Sequence, residues 1–120
     1  MPQYVDGFVL PMPKENIASY KKMAEKACKI WIEHGALEYR ECIAEDTNAS
    51  FGVSFPTGSN AKPDETVVFA WITYESRAHR DSVNEKLMKD PRLAEDMEHT
   101  DMPFDVKRML YGGFEVFVAS

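Results

Sequence analysis

The stretch VVFAWITY, Val67 to Tyr74, carries no charged side chain and no polar one beyond Thr73 and Tyr74. Its length and its β-branched and aromatic content suit a strand. A strand with one face in water alternates apolar and polar residues, because successive side chains point to opposite faces. Here Val67, Phe69 and Trp71 alternate with Val68, Ala70 and Ile72, so both faces are apolar. Such a strand belongs at the centre of a sheet, and its second face needs a cover.

The flanking sequence supplies the rest of the sheet. YVDGFVL (Tyr4 to Leu10) alternates as a first strand, with Tyr4, Asp6, Phe8 and Leu10 on one face, and the prolines of PMP (Pro11 to Pro13) are expected to stop it. A helix follows up to Gly35, because Ile17, Tyr20, Ala24, Ala27 and Trp31 recur at spacings of three and four among lysines and glutamates. ALEYRECI (Ala36 to Ile43) reads as a second strand, in which Arg40 and Glu41 are surface residues. The connection from Ala44 to Glu65 has loop chemistry around a short extended piece, SFGVSF.

After the Thr66 to Tyr74 strand, Ser76 is a helix cap, and the second helix runs to Lys89 or Asp90 with a thin stripe of Ala78, Val83, Leu87 and Met88. Pro91 opens a short helical turn, and HTDMPFD (His99 to Asp105) is an expected ordered loop. Val106 to Ala119 forms the fourth strand, where Gly112-Gly113 predicts a bulge or a close backbone approach. The order β-α-β-β-α-β defines an α+β, ferredoxin-like sandwich: two helices on one face of a four-stranded antiparallel sheet. The first and third strands are expected side by side and parallel at its centre.

The 120 residues suffice for one hydrophobic core, so a single domain over residues 1–120 is expected. Hydrophobic content of 44% with 28% charged residues is globular, and no apolar run approaches a membrane span. A net charge of −6 disfavours a nucleic-acid partner. The amino terminus lacks the pattern of a secretory signal, and Cys28 and Cys42 show no CxxC spacing, which together predict a cytoplasmic protein with reduced thiols. His34, His79 and His99 belong to no metal-ligand spacing, and no nucleotide-binding glycine motif occurs, so neither metal nor cofactor is expected.

Helices cover one face of the sheet only. Exposed on the other, each large side chain would forgo roughly 1.5 to 3 kcal/mol of burial. A second copy of the chain is the expected cover, sheet against sheet in a homodimer. The alternative is the long loop folding back over the open face.

YVDGFVLPMPKEN, GALEYREC, VVFAWITYESRAHRD, DPRL and MPFDVKRMLYGGFE together resemble the YbaA-like family of small bacterial proteins, a domain of unknown function. The spacing MPFD-x-KRM-x-YGGF carries the most specific part of that resemblance. The resemblance implies the dimeric α/β-barrel architecture, in which two ferredoxin-like subunits pack their sheets face to face. That superfamily includes cofactor-independent monooxygenases, isomerase-like enzymes and stress-response dimers, with pockets between helices and sheet of one subunit.

Parallel central strands would bring both helix N-termini to one end of the subunit, together with Arg77, His79, Lys107 and Arg108, a setting for a small polar or anionic molecule. His79 is the candidate base and Arg108 the charge stabiliser; each also has a structural reading, as a capped-helix histidine and as an ion pair with Asp105. Asp6, Asp105 and Tyr111 complete the candidate ligand-binding set. Turnover is left open beside plain binding, a stress-response role, and an interaction surface on the Ala44 to Glu65 loop.

Overall fold

The computed structural model describes residues 2–48, 50–98 and 102–120. Its elements are β1 (Tyr4–Pro13), a 3-10 turn η1 (Lys14–Asn16), α1 (Ile17–Glu33), β2 (Glu38–Ile43), α2 (Phe55–Gly58), β3 (Glu65–Tyr74), α3 (Arg77–Met88), α4 (Pro91–Glu98), a second 3-10 turn η2 (Val106–Arg108) and β4 (Leu110–Glu115). Residues 99–101 of the expected His99 to Asp105 loop lie outside the described residues.

The four strands form one sheet in the order β2-β3-β1-β4, with every neighbouring pair antiparallel. The expected antiparallel α+β sandwich is thus present, but the parallel pairing expected of its central strands is not. Tyr4 stands opposite Tyr74, and Pro13 stands opposite Glu65. The connections explain the correction. α1 returns the chain so that β2 runs in the same direction as β1; β3, joined to β2 by a reversing loop, then slots between them and runs against both.

β1 also continues through the prolines expected to end it. Its pairing with β4 stops at Val9, opposite Leu110. Pro11 and Pro13 lie two residues apart and so turn their donor-less nitrogens to the same side, where no strand follows; no ladder hydrogen bond is lost. The fourth strand is shorter than its sequence pattern. The Asp105 carboxylate accepts from the Lys107 backbone N–H at 3.0 Å and folds Val106–Arg108 into a 3-10 turn. Beyond Val116, whose backbone N–H donates to the Gln3 carbonyl oxygen at 2.9 Å, the chain leaves the sheet with Phe117 and Val118 exposed.

Register assigns the faces. Leu10, Met12, Val68, Ala70, Ile72 and Tyr74 point towards the helices and are buried; Ile72 and Tyr74 pack with Ile30 of α1 and with Val83 and Leu87 of α3, while Leu10, Met12 and Val68 form a second cluster with Ile17 and Tyr20 of α1, Phe104 and Met109. Trp31 donates from its ring nitrogen to the Tyr74 hydroxyl at 3.2 Å, joining helix and sheet. Val5, Val9, Val67, Phe69, Trp71, Leu110 and Phe114 lie on the outer face.

That outer face is half covered. Within the long loop, the expected extended piece SFGVSF (Ser50 to Phe55) joins no strand, and at its end Ser54 caps a single helical turn, Phe55–Gly58. Phe55 meets Phe69 edge-on at 5.9 Å, and Val67 beneath is only 2% exposed. The other half stays open, with Phe69 at 42%, Leu110 at 52% and Phe114 at 61% exposure. Phe114 lies across paired Gly7 and Gly112, where a Cβ on Gly7 would stand 3.3 Å from its ring. Gly113 faces the other way, and a Cβ there would collide with Tyr4. The two glycines of β4 therefore mark close approaches of aromatic rings, and the ladder runs through them without a bulge.

Candidate functional site

With β1 and β3 antiparallel, the N-termini of α1 and α3 lie at opposite ends of the sheet, about 30 Å apart along a ten-residue strand. The expected convergence of Arg77, His79, Lys107 and Arg108 therefore does not occur. At one end, Arg108 grips both carboxylate oxygens of Glu65 at 2.8 Å and the Asn60 carbonyl oxygen at 2.8 Å. Its partner is Glu65 rather than Asp105, which caps η2, and Lys107 beside it is exposed. At the other end, the His79 backbone N–H donates to the Ser76 cap, and its Nδ1 accepts from the Glu75 N–H at 3.0 Å. The far ring nitrogen faces the Gly35 turn. Arg77 is exposed, 3.7 Å from Asp81.

The Arg108 clamp holds Glu65 well below the usual carboxylate range, at about 2, chiefly through its hydrogen bonds and despite the cost of burial. A depressed carboxylate contributes stability that is complete above its unfolded value of 4.5 and is lost as pH falls towards 2. Arg108→Met should lower the melting temperature at pH 7 by several degrees. The gap between wild type and variant should close as thermal denaturation is followed from pH 4.5 down to about 2, whereas a gap independent of pH would contradict the assignment.

Asp6 and Tyr111 do come together, through a residue that the sequence did not single out. Asp6 is 2% exposed on the helix-facing side of β1. Arg80 of α3 places Nη1 3.2 Å from its carboxylate and 3.0 Å from the Tyr111 hydroxyl, while Nη2 donates to the Tyr4 hydroxyl at 3.3 Å. Burial raises the Asp6 pKa, and the opposing pull of Arg80 and of the Tyr111 hydrogen bond does not cancel it. Arg80 stands three and seven residues before Val83 and Leu87, so its place on the buried stripe of α3 was the available signal.

A half-open cavity lies elsewhere, between α1 and the β2 side of the sheet. It measures about 460 Å³ and is walled by Met12, Ile17, Ala24, Cys28 and Val68. Tyr20, Tyr39 and Glu41 also line it, and Lys21 with Glu25 stands on α1 beside them. Both tyrosine hydroxyls donate to Glu41, one to each carboxylate oxygen, Tyr39 at 2.6 Å. Burial and the neighbouring carboxylate hold both phenols well above their ordinary pKa, so they remain donors at neutral pH. Glu41, read from sequence as a surface residue, shares the helix-facing side of β2 with Tyr39, the alternation that could have placed it.

A third cluster joins the helices. Buried Asp90 accepts from the Arg92 backbone and guanidinium and lies 2.7 Å from the His34 ring, while Arg92 reaches Glu33 at 2.7 Å. Hydrogen bonds from Arg92 and then His34 hold Asp90 far below its ordinary pKa. These contacts lock the end of α1 to the α3–α4 corner. Among the described residues, no group of three or more His, Cys, Asp or Glu side chains is placed to hold a metal ion. None of the described helices is long and apolar enough to cross a membrane.

A four-stranded antiparallel sheet in the order β2-β3-β1-β4 with helices on one face defines a ferredoxin-like α+β protein. A dimeric ferredoxin-like protein from an uncultured marine organism has the same fold, with a TM-score of 0.59 at 11% identity over the whole of both chains. The chain belongs to the DUF1428 family of proteins of unknown function, whose pattern matches residues 3–106. It is 45% identical over 116 residues, 97% of each chain, to the uncharacterised protein YbaA of Escherichia coli K12, and equally to that of Shigella flexneri.

Proposed function

We propose that two copies of this chain pair through their outer sheet faces and that each subunit binds a small, largely apolar molecule in the cavity between α1 and the sheet. The observation that carries the binding reading is the cavity itself. Its volume of about 460 Å³ falls in the range of small-molecule sites, its walls are largely apolar, and its two tyrosine hydroxyls gather on one carboxylate. Pairing is supported by the open half of the outer face, where Phe69, Leu110 and Phe114 sit beside a polar rim in which Glu38 accepts from Trp71 and pairs with Arg40. The structural neighbour, itself described as dimeric, lends the same support at the level of fold.

Binding, without turnover, is the extent of this reading. His79 and Arg108 are each committed to local partners, which lends no support to a shared catalytic role. The anionic ligand expected from converging helix ends also loses its basis. Ala24→Trp tests the binding reading, because an indole at that position would fill the cavity from α1. A small apolar probe such as 3-methylindole should give a saturable calorimetric titration with the wild type and none with the variant, at unchanged circular dichroism. Equal binding to both proteins would contradict the location of the site.

A further inference from the structure

Glu41 gives the cavity a one-sided chemistry. Each of its oxygens already accepts a tyrosine hydroxyl, and those two hydroxyls have spent their only protons on it. What the Tyr20–Glu41–Tyr39 corner can still offer is lone pairs: the remaining sites on the carboxylate and on both phenolic oxygens. A ligand head placed there meets acceptors and a carboxylate, with aromatic rings of Tyr20 and Tyr39 beside it. A carboxylate or phosphate head would face repulsion, and a head without donors would leave the corner unpaired. Lys21, the nearby cation, is largely exposed and within 4.0 Å of Glu25, so it does not reverse the sign. The net charge of −6 works in the same direction.

Resting on the binding reading above, we infer that the ligand class is a small organic amine: a protonated nitrogen seated on Glu41 and the two phenolic oxygens, carried by an apolar or aromatic body among Met12, Ile17, Ala24 and Val68. The ammonium supplies the donors that the corner lacks, and charge-assisted bonds to a carboxylate are about twice as strong as neutral ones. The rings of Tyr20 and Tyr39 can add cation–π attraction to the same head.

Three probes of like body and different charge test this by calorimetry on the full chain: tryptamine, 3-methylindole and indole-3-acetate. Tryptamine should bind about tenfold or more tighter than 3-methylindole, a difference of roughly 1.4 kcal/mol, and indole-3-acetate more weakly than either. Glu41→Gln should bring the ratio of tryptamine to 3-methylindole affinity, measured in the same variant, close to one. The wild-type comparison stands without any variant: tryptamine binding no tighter than 3-methylindole, or indole-3-acetate binding best, overturns the amine assignment. If 3-methylindole still binds and Ala24→Trp still blocks it, the cavity reading survives that failure. If no probe binds the wild type, both fall together.

Discussion

Phe69→Asp combined with Phe114→Asp is expected to turn the proposed dimer into a folded monomer. Both side chains lie on the outer face, away from the core that Ile30, Ile72, Tyr74, Val83 and Leu87 form on the helix side. Phe114 rests on Gly7 and Gly112, and Phe69 on Phe55 and Trp71, so neither substitution opens a hole beneath the helices. Aromatic anchors at the centre of an interface typically contribute 2 kcal/mol or more each. A charge in their place adds a desolvation cost, so the dissociation constant should rise by roughly a thousandfold or more. The doubly substituted chain should keep its circular dichroism and melt cooperatively, at a lower temperature because the linkage to association is lost. A variant that retains the wild-type mass would place the interface elsewhere.

Arg80→Met should be strongly destabilising on the helix side of the sheet. It strips the guanidinium from Asp6, Tyr111 and Tyr4 at once and leaves a buried carboxylate without its cation. Removing one partner of such a pair costs about 3 kcal/mol. The pH dependence fixes the sign. Burial raises the Asp6 pKa above 3.8, so the fold binds this proton more tightly than the unfolded chain does. Asp6 therefore favours the fold most below pH 3.8, and its contribution declines as pH rises through the folded value. Without Arg80 that value climbs further. The loss in Arg80→Met should accordingly be greatest at pH 7 and smaller near pH 4, and Asp6→Asn added to it should restore most of the stability at pH 7. Denaturant titrations at the two pH values check this; a loss that neither acid nor the asparagine relieves would contradict the role given to Asp6.

Periodicity made the architecture legible, and direction was where it stopped. Val67 to Tyr74 is apolar on both faces because one face meets α1 and α3 while the other meets Phe55 and an open surface. Alternation in β1 and β2 and the three-four spacing of α1 placed those elements within a few residues. Strand direction has no such local signal. The side-by-side placing of β1 and β3 was legible but their relative direction was not: β3 follows a reversing loop from β2 and runs against β1, so the antiparallel sheet holds Arg77, His79, Lys107 and Arg108 at two ends where parallel strands would have gathered them at one.

The site was legible where a polar residue interrupts a buried pattern. Asp6 among Tyr4, Phe8 and Leu10 stood out, and it is buried; Tyr111 meets it through Arg80. Arg80 and Glu41 were missed by the same oversight, since each occupies an inward position of its own element but carries a charge that invites a surface assignment. Capping residues were harder still. Ser54 and Asp105 reset α2 and η2 by single side-chain hydrogen bonds that no window of apolar spacing records.

Sedimentation equilibrium of the wild-type chain at low micromolar concentration reaches the core of the matter: whether the uncovered half of this sheet is occupied by its own copy. A mass of twice 13.7 kDa is expected. A stable particle of 13.7 kDa that stays dispersed as concentration is raised would show that the exposed Phe69, Leu110 and Phe114 need no partner, and pairing through this face would have to be abandoned.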